Sequence, residues 1–385
     1  MKSLDWVKSK LQNKYIFILT IFILSRIFIW LVGAVYNVFD GSDQSIWDLL
    51  FRWDSPWYKG IIVDGYMDSP QGMTGNNAAN WAFFPLYPMI VKVFYMMTNI
   101  RVEILGSVIS SIIILIASFV IYDYCVEIKN EKCAKIAMIL LFVGPYSFYT
   151  ATLYTESLYI LFTILFFYFL KKDKWILAGI CGGLVSATRV TGAILVFPMM
   201  IMFLRPVFER KEKFLDAVKR FFLDGKYLLS FLLVPSGIFA YMVYLYNKVG
   251  DPFAFKNIQI AWGRENSNPI DVLIGGFVTY DGKINSPFWI YLGVWAIFGI
   301  VISLYMFKKK KFEEGIFSLI TIIIPMLSSL QSIPRYVMGN VLVIIFSSLF
   351  IEEHFKKSRW IVLGLLIIYN AVLLWLWFNG NPIMP

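Results

Sequence analysis

Histidine occurs once in 385 residues, as His354, and cysteine three times, as Cys125, Cys133 and Cys181. A single histidine excludes a multi-histidine metal site; no metal is required, and one held by Asp54 with a neighbouring acid stays open. No two cysteines have CxxC spacing, so neither a disulfide framework nor cysteine chemistry is expected. The sequon Asn-x-Ser/Thr is absent as well, which points to a prokaryotic source. Internal repeats, low-complexity runs and glycine-rich phosphate loops are also missing. The largest deficit is charge, at 16% of residues against about a quarter in globular domains.

What replaces charge is hydrocarbon: 59% of residues are hydrophobic and the mean hydropathy is +0.68. Apolar stretches recur that are long enough to cross a bilayer core of roughly 30 Å, which makes the chain an all-α polytopic membrane protein. About 11 spans are expected, at 15–37, 102–124, 135–151, 153–170, 174–188, 190–204, 227–247, 288–307, 315–331, 337–351 and 360–378. Pro145, Pro198, Pro235 and Pro325 should interrupt or kink helices. The first stretch is too long for a signal-peptide core and lacks a small-residue cleavage site, so it reads as a retained helix.

The net charge of +10 might suggest nucleic acid, but its distribution does not. Of the 35 Lys and Arg residues, 24 fall in Lys2–Lys14, Lys129–Lys135, Lys171–Lys174, Arg205–Lys226, Lys308–Lys311 and Lys356–Arg359, which are alternate loops on this map. The positive-inside rule then puts the N-terminus and these loops in the cytoplasm, where they meet anionic membrane lipids, and no nucleic-acid partner is expected. His354 lies in one of these loops, so histidine catalysis on the outer face is excluded.

Two outer loops are long, about 38–101 and 248–287, in what reads as a single membrane domain over 1–385. The first contains RWDSPWYKGIIVDGY and FFPLYP, and its aromatics favour two interfacial helices, Ile46–Gly60 and Phe84–Thr98. The inner loop Arg205–Lys226 reads as a basic surface helix.

Asp54, between Trp53 and Trp57 and beside Arg52, is the leading candidate for chemistry. A carboxylate partly desolvated by aromatics can serve as general base, while Arg52 opposes that shift and is itself, with Trp53, Trp57 and Tyr58, a candidate substrate-binding residue. An Asp at this position can equally cap a short helix, and both readings stay open. Glu156, in LYTESLY, begins an apolar span, and is either functional or a structural partner of Arg189. Asp251, in GDPF, reads as a cap.

Arg189 (ATRVTG), Arg264 (AWGRE) and Arg335 (SIPRY) are cations on the face where positive charge is rare. Phosphate is their natural partner, because Arg binds it bidentately and stays charged; helix-end snorkelling is the plainer alternative. Trp47, Trp53, Trp57, Tyr58, Trp81, Phe83, Phe84, Tyr87 and Trp262 line either a sugar or prenyl site or an ordinary interface belt.

The motifs RWDSPWYKGIIVDGY, FFPLYPMIVKVF, LYTESLYILF, LAGICGGLVSATRVTGAILVFP, GDPFAFKNIQIAWGRE and SIPRYVMGNVLVIIF run in order from about residue 50 to 346. In them the chain resembles the PIG-V-like mannosyltransferases of GPI-anchor assembly and their prokaryotic relatives. The resemblance implies a GT-C fold and an inverting glycosyltransferase with a polyprenyl-phosphate-linked sugar donor, mannose in members of known activity. It implies Asp54 as base and Arg189, Arg264 and Arg335 as candidate donor-phosphate ligands, with a lipid or glycan acceptor and no cofactor. The GPI acceptor itself does not carry over, since this Lys- and Ile-rich chain reads as bacterial and bacteria make no GPI anchors. A transporter or lipid flippase is the alternative, but it should place polar groups at mid-membrane on several helices. Here Arg26 is the exception among charges gathered at the outer face.

Overall fold

Asn13 opens the first long helix, Lys14–Asp40: its side-chain oxygen accepts the Tyr15 amide hydrogen at 3.1 Å. Gly41 closes it in the left-handed conformation at φ 67°, a position glycine occupies without steric cost. The structure, a computed structural model, describes residues 13–71, 77–209 and 212–381. The basic residues before Asn13, positions 210–211 of the inner loop and the C-terminal end from 382 lie outside the described residues.

Helix dominates, and the described residues contain no strand beyond one isolated antiparallel bridge, Val278–Ile284. Among the described residues five helices are long and apolar enough to cross a membrane: Lys14–Asp40, Val102–Ile128, Val190–Glu209, Pro287–Lys308 and Arg359–Phe378. A sixth candidate is the pair Gly225–Leu233 and Ser236–Val249, bent by 48° at Pro235. Proline lacks the amide hydrogen and clashes with the preceding turn, which accounts for the bend. The remaining expected spans are shorter helices: Glu131–Val143, Glu156–Lys171, Trp175–Ser186, Phe312–Met326 and Val341–His354, of 13, 16, 12, 15 and 14 residues. At 1.5 Å per residue the shortest reaches about 18 Å, well short of a roughly 30 Å core. Two of them give way to tight turns at motif positions: GPYS, with Pro145, follows Glu131–Val143, and Phe312–Met326 stops one residue after Pro325, ahead of SIPRY.

The outer-loop helices differ from expectation in one respect. The second is close to its expected extent, Leu86–Thr98. The first is two helices, Ile46–Leu50 and Ser55–Val63, separated at the RWD motif. Pro56 is tolerated only in a first turn, so a helix containing it must restart just before it. The inner basic helix is Phe214–Leu223, while Arg205 belongs to the end of Val196–Glu209.

The chain divides into two compact units, each drawn from separate segments. One comprises the chain up to Pro56, Ile100–Ser157 and the chain from Ile344; the other comprises Trp57–Asn99 and Leu158–Val343. In the first unit, helices Lys14–Asp40 and Val102–Ile128 run antiparallel in a fixed register. Lys14 pairs with Asp123 at 2.8 Å, and twelve residues further along each helix Arg26 donates to the Ser111 hydroxyl at 3.1 Å. Arg26 also reaches Ser25 and lies 5.0 Å from the Phe22 ring centroid, so the exceptional mid-span cation joins two helices. In the second unit, helix Trp175–Ser186 packs on Gly225–Leu233 through glycine. A Cβ on Gly179 would meet the Ser230 carbonyl at 2.8 Å, and one on Gly183 the Leu233 carbonyl at 2.7 Å. Lipid is as apolar as a side chain, so such close backbone approach, rather than water exclusion, holds membrane helices together. Gly179 and Gly183 thereby seat the helix that precedes Arg189 by three residues.

Candidate active site

In the first unit, Ser45 caps helix Ile46–Leu50 and donates to the Asp48 carboxylate at 2.5 Å. That hydrogen bond, helped by the neighbouring Arg101 guanidinium, holds the Asp48 acid below its ordinary range. The chain then reverses through Arg52, Trp53 and Asp54. Arg52 donates to the Asp48 carbonyl at 2.8 Å and to the Phe51 carbonyl, Gln44 Oε1 and Phe378 carbonyl at 3.2 Å each. Its guanidinium thus ties the end of a short helix to the C-terminal end of Arg359–Phe378, 326 positions away.

Trp53 adopts φ 54°, in the left-handed region that a bulky side chain disfavours. Its indole Nε1 is buried without a hydrogen-bond partner among the described residues. One hydroxyl holds the turn closed. Tyr154 Oη accepts from the Asp54 amide at 2.9 Å and donates to the Arg52 carbonyl at 3.1 Å. Tyr154 is fully buried, its ring packed against Tyr149 and Trp377. Asp54 is half-buried and stands directly before helix Ser55–Val63. The motif LYTES therefore supplies the clamp on Asp54, a role the residue pattern alone did not single out.

Glu156 is buried, at 1% exposure, and opens helix Glu156–Lys171. The helix dipole favours a carboxylate there. The next residue, Ser157, donates to the Thr150 carbonyl at 3.2 Å and fixes the entry to the helix.

In the second unit, Trp57 and Tyr58 pack their rings on Phe83, at 5.8 and 5.1 Å between centroids, and Tyr58 also meets Tyr87. Trp262 closes this group edge-on to Trp57 at 5.5 Å. The first-loop motifs and AWGRE are thereby joined through aromatics, and Arg264 follows directly, hydrogen-bonded to Gln259 at 2.9 Å. Trp57 and Tyr58 are both buried, so they build the packed base of this region. Tyr66, which ends the first motif, donates to the Phe83 carbonyl at 2.6 Å, and Tyr241 to the Trp81 carbonyl at 2.7 Å. Burial pushes the Tyr66 hydroxyl well above its ordinary pKa and keeps it a neutral donor. Asn80 bridges the Met67 amide and the Gly65 carbonyl at 3.0 Å each, completing the brace on FFPLYP.

Arg189 lies 5.2 Å from the Tyr159 ring centroid and 5.9 Å from that of Tyr336, the residue after Arg335. Cation–π contact of this kind orients a guanidinium while keeping its charge. Two of the three arginine motifs, ATRVTG and SIPRY, are thus neighbours. Arg335 is buried at 7% exposure on the short helix Ile333–Met338, entered through Ser332 at φ 63°. Asp251 caps its own loop, accepting from the Phe253 amide and Asn257 Nδ2 at 2.8 Å each.

The profile of the family described as mannosyltransferase (PIG-V) matches residues 20–312, about three quarters of the chain. The chain belongs to that family. Its helical architecture is the GT-C fold, which the following solved structures share. The Archaeoglobus fulgidus oligosaccharyltransferase in its apo form superposes with a TM-score of 0.54 at 12% identity, covering 96% of this chain and 56% of that one. The same protein, AglB, in complex with an inhibitory peptide and a dolichol-phosphate gives 0.52 at 13% identity, over 97% and 56%. ArnT from Cupriavidus metallidurans bound to undecaprenyl phosphate gives 0.53 at 10% identity, over 93% and 76%. At these identities the likeness is one of fold, and the chain spans little more than half of the oligosaccharyltransferase. No curated protein sequence matches significantly. Among the described residues no three His, Cys, Asp or Glu side chains are grouped to hold a metal ion.

Proposed function

We propose that this family member transfers a sugar, mannose by family precedent, from a polyprenyl-phosphate-linked donor to a lipid or glycan acceptor. The reaction takes place on the outer face of a bacterial cell membrane, with the N-terminus in the cytoplasm. Asp54 is the general base. The observation that carries the reading is the turn around Asp54: a strained Trp53, an orphaned indole N–H and a buried tyrosine clamp all serve to aim one half-buried carboxylate. Strain of this kind persists where the surrounding structure over-determines it, and it concentrates at active sites.

In this mechanism Asp54 takes the proton of an acceptor hydroxyl, whose oxygen attacks the anomeric carbon opposite the phosphate. The bond from that carbon to the phosphate oxygen breaks with its electrons, the configuration inverts, and the transition state has oxocarbenium character. Arg189 and Arg335, with Arg264, stabilise the charge that builds on the departing phosphate. A phosphate leaves without an acid, so one carboxylate suffices. Arg52 acts by holding the turn, and Glu156 by fixing the helix that follows Tyr154. That AglB and ArnT structures hold dolichol-phosphate and undecaprenyl phosphate supports a lipid-phosphate donor for this fold.

The test is transfer of radiolabelled mannose from polyprenyl-phosphate-mannose in membranes, wild type against Asp54→Asn. The variant should lose about 10² to 10⁴ in rate, the usual worth of a general base, at unchanged expression. Full activity in the variant removes Asp54 as base. Absence of transfer from every polyprenyl-phosphate sugar, in the wild type, shifts the reading to transport.

A further inference from the structure

The second unit contains a cavity unrelated to Asp54. It lies among the ends of helices Glu156–Lys171 and Val196–Glu209 and the turn that joins Pro287–Lys308 to Phe312–Met326. These are the ends that the charge bias assigns to the cytoplasm. The volume is about 210 Å³, far above the roughly 10–15 Å³ that one water needs. Phe167, Leu170 and Met202 provide an apolar wall, and Lys171, Arg205, Lys310 and Lys311 provide the cations.

Two of these cations are already committed. Arg205 pairs with Glu313 at 2.5 Å and Lys171 with Glu314 at 3.3 Å. The two carboxylates are almost completely buried, at 7% and 2% side-chain exposure, so they act as fixed counter-charges that hold Arg205 and Lys171 in place. Glu209, at the rim, is 66% exposed and stands 3.7 Å from Arg205. Lys310 and Lys311 differ: their amides donate to the Phe307 and Met306 carbonyls and the Lys311 carbonyl accepts from Gly315, while among the described residues neither side chain makes an ion pair. Lys310 is held at φ 58°, in the left-handed region, by that same turn. Four cations against three carboxylates leave the cavity with one net positive charge.

We propose that this cavity binds the phosphodiester head group of an anionic membrane lipid from the cytoplasmic leaflet. Lys310 and Lys311 meet the phosphate, and the hydrocarbon adjoining it lies along Phe167, Leu170 and Met202. The singly charged phosphodiester matches the surplus charge. An apolar wall beside the cations suits a lipid and is wasted on a soluble phosphate. Basic cavities between spans on the cytoplasmic side take phospholipid head groups on the same physical grounds. The site is independent of the transfer reaction and of the role of Asp54.

The experiment uses the full chain, delipidated in detergent. Lipid retention is measured by native mass spectrometry after titration with phosphatidylglycerol, with phosphatidylcholine and glycerol phosphate in parallel. Wild type should retain phosphatidylglycerol preferentially. Lys310→Ala with Lys311→Ala should weaken that retention roughly 30-fold, at about five-fold per lysine. The control Lys356→Ala with Lys357→Ala removes equal charge from another exposed inner loop and should leave retention unchanged. Equal loss in both double variants would mean general attraction to a basic face and would overturn the site. Equal retention of phosphatidylcholine would overturn the charge match, and glycerol phosphate binding as well as the lipid would overturn the membrane source.

Discussion

Tyr154→Phe isolates the clamp on the turn that carries Asp54, because it deletes one oxygen and keeps the buried ring. That oxygen serves two backbone groups, accepting from Asp54 at 2.9 Å and donating to Arg52 at 3.1 Å. Each hydrogen bond is worth about 0.5–1.5 kcal/mol, so the pair contributes about 1–3 kcal/mol. The left-handed backbone at Trp53 costs about 1–2 kcal/mol. The two magnitudes are comparable, so without the hydroxyl the turn can relax toward ordinary backbone and carry the Asp54 carboxylate with it. A misplacement of 1 Å can cost about 10² in rate. The expected result is a transfer rate about 10 to 100 times slower in single-turnover assays with polyprenyl-phosphate-mannose, with folding retained. The loss should fall on kcat rather than on donor KM, because the base acts in the chemical step. A rate within about two-fold of wild type would refute the clamp, and a change confined to KM would move Tyr154 to donor binding.

Arg189→Lys keeps the charge but loses the planar group that rests against Tyr159 and Tyr336; donor KM should rise about ten-fold, a loss of roughly 1.4 kcal/mol. An unaltered donor KM there, and in Arg335→Lys, would count against the phosphate assignment. Ser332→Gly relieves a left-handed residue by about 1 kcal/mol, so the thermal midpoint should hold or rise, and a clear fall would show that the hydroxyl matters more than the backbone.

The apolar stretches were legible because a bilayer imposes a length and a composition that one sequence displays by itself. Each expected span has a helix within it, yet several are too short to cross alone. Their interruption at GPYS and ahead of SIPRY depends on turns that hydropathy does not register. The same limit applied to the site. Asp54 stands out by composition, but Arg52 reads from the sequence as a substrate ligand beside it, since its structural partner at Phe378 is remote in the chain. Tyr154 lies inside LYTES without a signal of its role, because a tyrosine among apolar residues looks the same whether it fills a core or holds a backbone. Tyr66, Asn80 and Tyr241 are silent in the sequence for the same reason: their hydroxyl and amide groups serve carbonyls and amides that no side-chain pattern reveals.

The left-handed residues link these observations. Among the described residues seven other than glycine have positive φ: Trp53, Asn77, Asn99, Tyr146, Asp173, Lys310 and Ser332. Asn77, Asn99 and Asp173 need no explanation, since Asn and Asp tolerate that region. Trp, Tyr, Lys and Ser gain nothing from it, and each of those four is, or adjoins, a position to which a role is proposed. Trp53 precedes Asp54, and Ser332 caps the helix of Arg335. Tyr146 leads into the turn Ser147–Ala151 that precedes Tyr154 and Glu156, where Asn370 donates to the Ser147 hydroxyl at 3.1 Å. Lys310 faces the basic cavity. Each such residue costs on the order of 1–3 kcal/mol, which packing must offset. A scaffold under no demand beyond stability would have placed glycine or asparagine at these turns, as it did at Gly41 and Asn99. The strained positions therefore coincide with the places to which the proposed transfer and lipid sites assign roles.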